Sequence, residues 1–303
     1  HILRACAHGS RQRCNMSQTF NQKKQVKAVM LILGSAFFFS LMNLFVRLAG
    51  PVPTMQKALF RNLISALVAA GIAVRSHTKI KLNAKQGSCL FIRALMGTIG
   101  LLCNFYAVDH MNVSDATMLN KLSPFFVVLL SAPILKERLR GRDFLYVLLA
   151  FCGAMFVAKP TFQSDMLPSL IGILGGLTAG CAYVYVRKLS QLQVPNALIV
   201  LGFSVFSCLF ILPFVVASYV PMTTQQVIYL LLCGVSAAAA QFCITAAYSN
   251  APGRDIAVYD YSQIVFTALL SFFVLGQVPD VYSIIGYVLV IGAAVWKHFS
   301  PKP

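Results

Sequence analysis

Four ionisable side chains stand where the residues around them leave little water: Arg61, Arg93, Lys121 and Asp260 each lie inside a long apolar run. A charge near the bilayer centre costs about 2.5–3.5 kcal/mol on insertion scales, so those that persist pair with one another or face a polar pathway. Lys121 and Asp260 make the sharpest pair. The lysine can attract a carboxylate or phosphate, while the aspartate can receive an amino group or a proton. The plainer use is a permanent structural ion pair, or for Asp260 a place at the membrane rim. Arg61 lies too deep in its run to reach the headgroups easily, and either binds an anionic group or anchors a helix end. Arg93 lies nearer the end of its run and is expected to snorkel outward along its aliphatic stem.

Amides and aromatic hydroxyls recur through the same runs. Asn43, Asn62, Asn104, Tyr106, Asn120, Tyr183, Gln241, Tyr259 and Gln263 are candidates to line a polar centre with the charged pair. The alternative for each is helix-to-helix hydrogen bonding. Catalytic constellations are hard to assemble from what remains. The eight acids fall mostly in loops, without a spaced pair inside a run, and the five histidines lie outside the runs. The nine cysteines are scattered singly, with no CxxC or Cys/His spacing, so neither a metal site nor a disulfide framework is indicated. No GxxxxGK[ST] loop supports ATP-driven work. The reading is no enzyme, no metal and no cofactor.

Ten apolar runs position these residues: 26–48, 54–74, 88–108, 113–135, 142–158, 168–188, 196–218, 224–247, 256–276 and 280–297. A hydrocarbon core about 30 Å thick needs roughly 20 helical residues, and most of these runs meet that length. With 58% hydrophobic and 11% charged residues in a chain of 303, the composition is that of a polytopic, all-α membrane protein. A net charge of +17 would suggest nucleic acid in a soluble protein. Here it follows the membrane instead, which excludes that class. Arg75, Lys79, Lys81 and Lys85, then Lys136, Arg138, Arg140 and Arg142, then Arg187, Lys188, Arg254, Lys297 and Lys302 all fall on one side of the alternation. So do the basic residues before the first run, whereas Arg47, Lys57 and Lys159 stand opposite. The positive-inside rule then places both termini in the cytoplasm of a plasma or inner membrane. The 136–143 charge run reads as an orientation signal that also attracts anionic lipid.

The first run is too long for a signal-peptide core. Residues 1–25 read as a cytoplasmic tail, of which 1–15 look foreign to the fold, with Met16 a candidate start. Residues 26–158 and 168–297 form two five-span halves, followed by a short cytoplasmic tail over 298–303. A shift of 140 residues lays Asn120 over Asp260, Lys121 over Tyr261, Phe126 over Phe266 and Leu135 over Leu275. Because five is odd, the second half must enter the membrane upside down, the architecture of secondary transporters whose sites lie between repeats. Pro124 is expected to free a backbone carbonyl of the fourth span toward a cavity. Gly172, Gly176 and Gly180 make a flat face on the sixth span, for close packing within the chain or at a dimer face.

Several stretches together resemble the ten-helix drug/metabolite transporter superfamily, in particular its EamA-type members, over about residues 26–297. They are Phe60-Arg61-Asn62, Phe105-Tyr106-Ala107, Asp115 through Pro124, Lys136-Glu137-Arg138 and Tyr259-Asp260-Tyr261-Ser262-Gln263. The resemblance implies a central cavity lined by spans 1–4 and 6–9, with spans 5 and 10 peripheral. The family's usual acidic residue after the ninth span is replaced here by Gln277. Residues and resemblance together lead to a secondary transporter working by alternating access, with a coupled proton or ion, in the lipid bilayer. Its substrate is read as a small polar metabolite, either an amino acid-like zwitterion or an organic anion. A receptor or scaffold without transport is the alternative class, and a membrane-embedded enzyme a more remote one.

Overall fold

The computed structural model describes residues 2–78, 81–110, 119–137, 141–158, 166–276 and 281–300, with side chains described from Lys24 onward. Asp115 and its neighbours in 111–118, Arg138, Lys159 and Gln277 lie outside them. In a medium without water each backbone polar group must be bonded internally, and a helix does this within one segment. Ten helices result: α1 (Ile2–Leu48), α2 (Thr54–Arg75), α3 (Ala84–His110), α4 (Ser123–Leu135), α5 (Gly141–Ala158), α6 (Met166–Gln191), α7 (Asn196–Ala217), α8 (Thr224–Asn250), α9 (Ser262–Leu275) and α10 (Val281–Phe299). One helical turn, Gly253–Ile256, and a 3-10 segment, Ala257–Tyr261, lead into α9. Among the described residues eight stretches are long and apolar enough to cross a membrane. α4, at 13 residues, is shorter. Leu67, Leu209, Phe273 and Val288 are exposed on the outside of the bundle, as side chains facing lipid would be.

The local chemistry fixes where helices start. Pro53 and Pro195 stand immediately before α2 and α7, and Pro252 before the turn at Gly253. Thr223 caps α8 in a reciprocal box with Gln226. Pro124 does not act as the sequence suggests. It occupies the first turn of α4, where its missing N–H has no intrahelical partner to lose. Beside that break the Lys121 carbonyl accepts from the Tyr261 hydroxyl at 2.7 Å. α1 runs back through the segment read as a tail, and a break over 251–261 separates α8 from α9.

The helix pairing carries a two-fold pattern. The first helix of each half packs on the third and fourth of the other (α1 with α8 and α9, α6 with α3 and α4). The second packs on the other's third (α2 with α8, α7 with α3). Among the described residues α2–α7 and α5–α10 are extensive contacts that pair like with like, so an axis relating the halves must pass near both contacts. Lys121 and Tyr261, equivalent under the 140-residue shift, touch each other. Equivalent residues can meet only beside such an axis, which puts the Lys121 turn at the middle of the bundle.

Small residues make this proximity feasible. A Cβ on Gly172 would stand 2.6 Å from Leu119 Cδ1, one on Gly176 2.7 Å from the Leu119 carbonyl oxygen, and one on Gly180 2.7 Å from Phe126 Cβ. The stripe therefore seats the chain from Leu119 into α4, and its use is internal rather than at a dimer face. Gly153 brings α5 against α10 in the same way, where a Cβ would lie 2.8 Å from the Gly286 carbonyl.

Candidate substrate site at the centre of the bundle

Lys121 sits in the turn that precedes α4, and Asp260 and Gln263 flank the junction between the 3-10 segment and α9. Both interruptions turn side chains off a regular helix toward the centre. Lys121 Nζ lies 3.3 Å from Asp260 Oδ2 and donates to Gln263 Oε1 at 2.7 Å. Lys121 and Asp260 are both buried, at 6% and 7% exposure, so the pair is not a rim feature. By residue count Lys121 lies far from the basic end of its run (113–135) and Asp260 close to that end of its own (256–276). The break over 251–261 removes that mismatch: Gly253 lies level with Val127 and Ser131, and the residues that follow climb α4 to Lys121. In a low-dielectric interior such a pair is stable only if both charges stay matched and their remaining groups find partners.

Around this pair Tyr183 of α6 stacks on Tyr248 of α8, with ring centroids 5.2 Å apart and planes at 12°. Tyr183 lies within electrostatic range of Asp260, Arg93 and Arg61. Arg93 corrects the expectation of snorkelling. Its guanidinium is buried at 2% exposure, 4.4 Å over the Phe203 ring of α7. The Nε atoms of Arg61 and Arg93 have no hydrogen-bond partner, and neither guanidinium pairs with a described carboxylate. Gly97, one turn along α3, explains how Arg93 lies there, because a Cβ at Gly97 would fall 2.2 Å from its Nη1.

The remaining candidates divide. Asn62 is buried with its Nδ2 unpartnered, and Asn120 and Asn104 are half-buried, the latter beside Gly175 at the α3–α6 contact. Gln241 and Tyr259 are buried, but Gln241 donates to Thr245 on its own helix at 3.4 Å, and the Tyr259 carbonyl accepts from Ser262. Asn43 is exposed. Tyr106 stacks on His110 near the end of α3, with centroids 4.0 Å apart, and is not gathered with the others. Sequence reasoning singled out Arg93 but sent it to the headgroups, and it passed over Tyr248 and Gly97 as parts of the centre. An arginine and a glycine one helical turn apart on a single face was the available signal for two of them.

A second ionic cluster closes one end of the bundle, and it gives the 136–143 charge run contacts beyond orientation. Lys297 of α10 pairs with Asp143 of α5 and lies 3.8 Å from Asp255, while Arg187 of α6 stands 3.8 Å from Glu137. Arg187 also donates to the Ser249 carbonyl at 2.7 Å. Burial holds the Glu137 carboxyl above the usual carboxylate range, with Arg187 and Arg254 pulling the other way. Among the described residues no group of three His, Cys, Asp or Glu side chains could hold a metal.

The fold and this centre define a class, a helical membrane protein built for passing polar solutes. The profile of the EamA-like transporter family matches residues 26–159 and again 166–296, and the chain belongs to that family. Among its relatives is the pseudopaline exporter CntI of Pseudomonas aeruginosa, 31% identical over 270 residues, covering 88% of this chain and 94% of the exporter. Human solute carrier family 35 member G1 is 24% identical over 288 residues (88% and 78%). The riboflavin transporter of Brucella anthropi is 23% identical over 250 residues (81% and 88%). A crystal structure superposes with a TM-score of 0.79 at 16% identity, covering 90% of this chain and 98% of that one, which speaks for the fold alone. The protein is a multi-pass membrane transporter of the drug/metabolite superfamily, not an enzyme.

Proposed function

We propose that the protein is a secondary carrier that moves a small polar metabolite, a zwitterion or an organic anion, by alternating access around the Lys121–Asp260–Gln263 centre. The observation that carries this is the buried cation–anion pair where the two halves meet, with Gln263 completing it. A solute bearing an acid and an amine can replace each partner of the pair with one of its own groups, so both charges stay matched while it is bound. Arg61, Asn62, Asn120, Asn104 and Tyr183 complete the surroundings of this reading, and Asp260 is the group suited to a coupled proton. The cluster of Lys297, Asp143, Asp255, Arg187 and Glu137 joins elements of both halves at the basic end, which in this reading is the cytoplasmic side. It fits a contact that holds that side shut and must part when the halves rock. Asn43, Tyr106, Gln241 and Tyr259 have weaker support as substrate ligands.

The test is flux in proteoliposomes with a panel of amino acids and organic anions, comparing wild type with Lys121→Ala and Asp260→Asn at matched reconstitution. Loss of flux in both variants is expected. Unchanged flux in Lys121→Ala sinks the role given to the pair.

A further inference from the structure

We infer that Arg61 and Arg93 form a second anionic subsite, so the substrate carries a dianionic end, either two carboxylates or a phosphate, beside the group held at Lys121–Asp260. This rests on the carrier reading above and narrows its substrate class. Of the basic groups at the centre, Lys121 has a carboxylate and an amide oxygen, whereas Arg61 and Arg93 have no described carboxylate and each leaves Nε without an acceptor. Guanidinium stays protonated in proteins, so these charges cannot be relieved by losing a proton. A buried, unpaired charge is among the costliest features a fold can carry. Arg93 is such a charge at 2% exposure, and Arg61, half-buried with its Nε enclosed, lies within electrostatic range of it, which adds repulsion between like charges. A structural role would normally supply carbonyl or carboxylate acceptors, and none is present at either Nε.

Position adds to this. Arg93 is held rather than adrift: Phe203 supports its face at 4.4 Å, and Gly97 leaves the space that its Nη1 fills. Stacking on a ring satisfies a guanidinium's face but none of its N–H groups, which stay directed in its plane. Two such forks, from α2 and α3, suit bidentate capture of carboxylate or phosphate oxygens. Tyr183 lies within electrostatic range of both arginines and of Asp260, which puts this pair and the Lys121–Asp260 centre in one neighbourhood.

The experiment is a thermal-shift titration of the purified full chain with glutarate, inorganic phosphate and butyrate at matched ionic strength. It is run on wild type, Arg61→Gln, Arg93→Gln and Arg93→Lys. Glutarate or phosphate, but not butyrate, should stabilise the wild type, and whichever of the two acts identifies the dianion. Either glutamine variant should weaken that response roughly 10- to 100-fold, as expected for losing a charged hydrogen-bonding partner. Its ligand-free melting temperature should be equal or higher, since an uncompensated charge is gone. Arg93→Lys should fall between, keeping the charge but losing the fork. Equal response to butyrate, no response to either dianion, or glutamine variants that melt earlier yet keep the full response would each overturn the subsite. Flux in proteoliposomes separates the two readings. Transport of zwitterions or monoanions without any dianion response sinks this inference alone, whereas a dianion response without flux of any solute supports the subsite and sinks the carrier.

Discussion

Lys121 and Arg93 are both buried cations from the same half of the chain, and the structure treats them oppositely. Lys121 is met by Asp260 and Gln263 from the other half, while among the described residues Arg93 is met by an aromatic face alone. The first is a closed circuit and the second an open one. A fold selected for stability alone would close both, because an unmatched buried charge costs more than any single packing contact returns. The contrast teaches where the resting protein is complete and where it awaits a partner. It also predicts opposite signs: breaking the closed pair should destabilise the empty protein, and removing the open charge should not.

The largest effect is expected from Lys121→Ala, which strands Asp260 in the interior. A loss of about 3–5 kcal/mol is typical when one partner of a buried pair is removed. Chemical unfolding of the detergent-solubilised protein would measure it. Adding Asp260→Ala should recover part of the loss, and a double variant as unstable as the sum of its parts would show that the two charges are not coupled. Next comes Gly176→Val, whose side chain must displace the Leu119 carbonyl and with it the turn that aims Lys121. Overpacking of this kind costs roughly 1–3 kcal/mol, and here it should reduce transport together with stability.

Gly97→Ala sharpens the contrast most directly. The added methyl collides with Arg93 Nη1 and the Phe203 ring, so Arg93 must leave its position. Stability should change by under about 1.5 kcal/mol, since the displaced group is a flexible, unpaired side chain. The dianion response should fall as far as in Arg93→Gln. A Gly97→Ala protein with full dianion response would break the link between that glycine and Arg93.

The smallest effect concerns Glu137. Its carboxyl is held above the usual range by burial, so the folded state binds its proton more tightly than the unfolded chain does. Stability from this group is therefore present at low pH and declines as pH rises from the ordinary carboxylate range through the raised value. Glu137→Gln should flatten that decline, with a difference at neutral pH of under about 1 kcal/mol because the Arg187 contact is lost as well. Melting curves of both proteins across the acidic range would show it, and a wild type that gained stability with rising pH in that window relative to the variant would reverse the assignment.

Much of the architecture was legible because membranes impose it. Ten runs of roughly bilayer length, one-sided basic loops and an internal match at 140 residues lead to ten helices in two opposed halves, since lipid admits few other solutions for the backbone. Charges inside those runs were equally conspicuous, and Lys121 and Asp260 were legible as a pair from cost alone. Depth was not. Residue counting assumes straight helices, and the break at 251–261 and the turn at Lys121–Leu122 shift both groups to one level. Pro124 misled for the same reason, since a proline's effect depends on whether a helix is already under way.

Solvation energies of single residues, additive along a chain, fix which segments leave water, how they alternate, and which charges must find company once they do. Who keeps that company is settled only when the helices pack. Whether Arg93 reaches the headgroups or lies over Phe203 depends on a glycine in its own helix and a ring on another, and whether Asn43 or Tyr183 faces the centre depends on how each helix is rotated in the bundle. Those choices are set by packing between segments distant in sequence, where a few tenths of an ångström at a glycine decide which side chain fits.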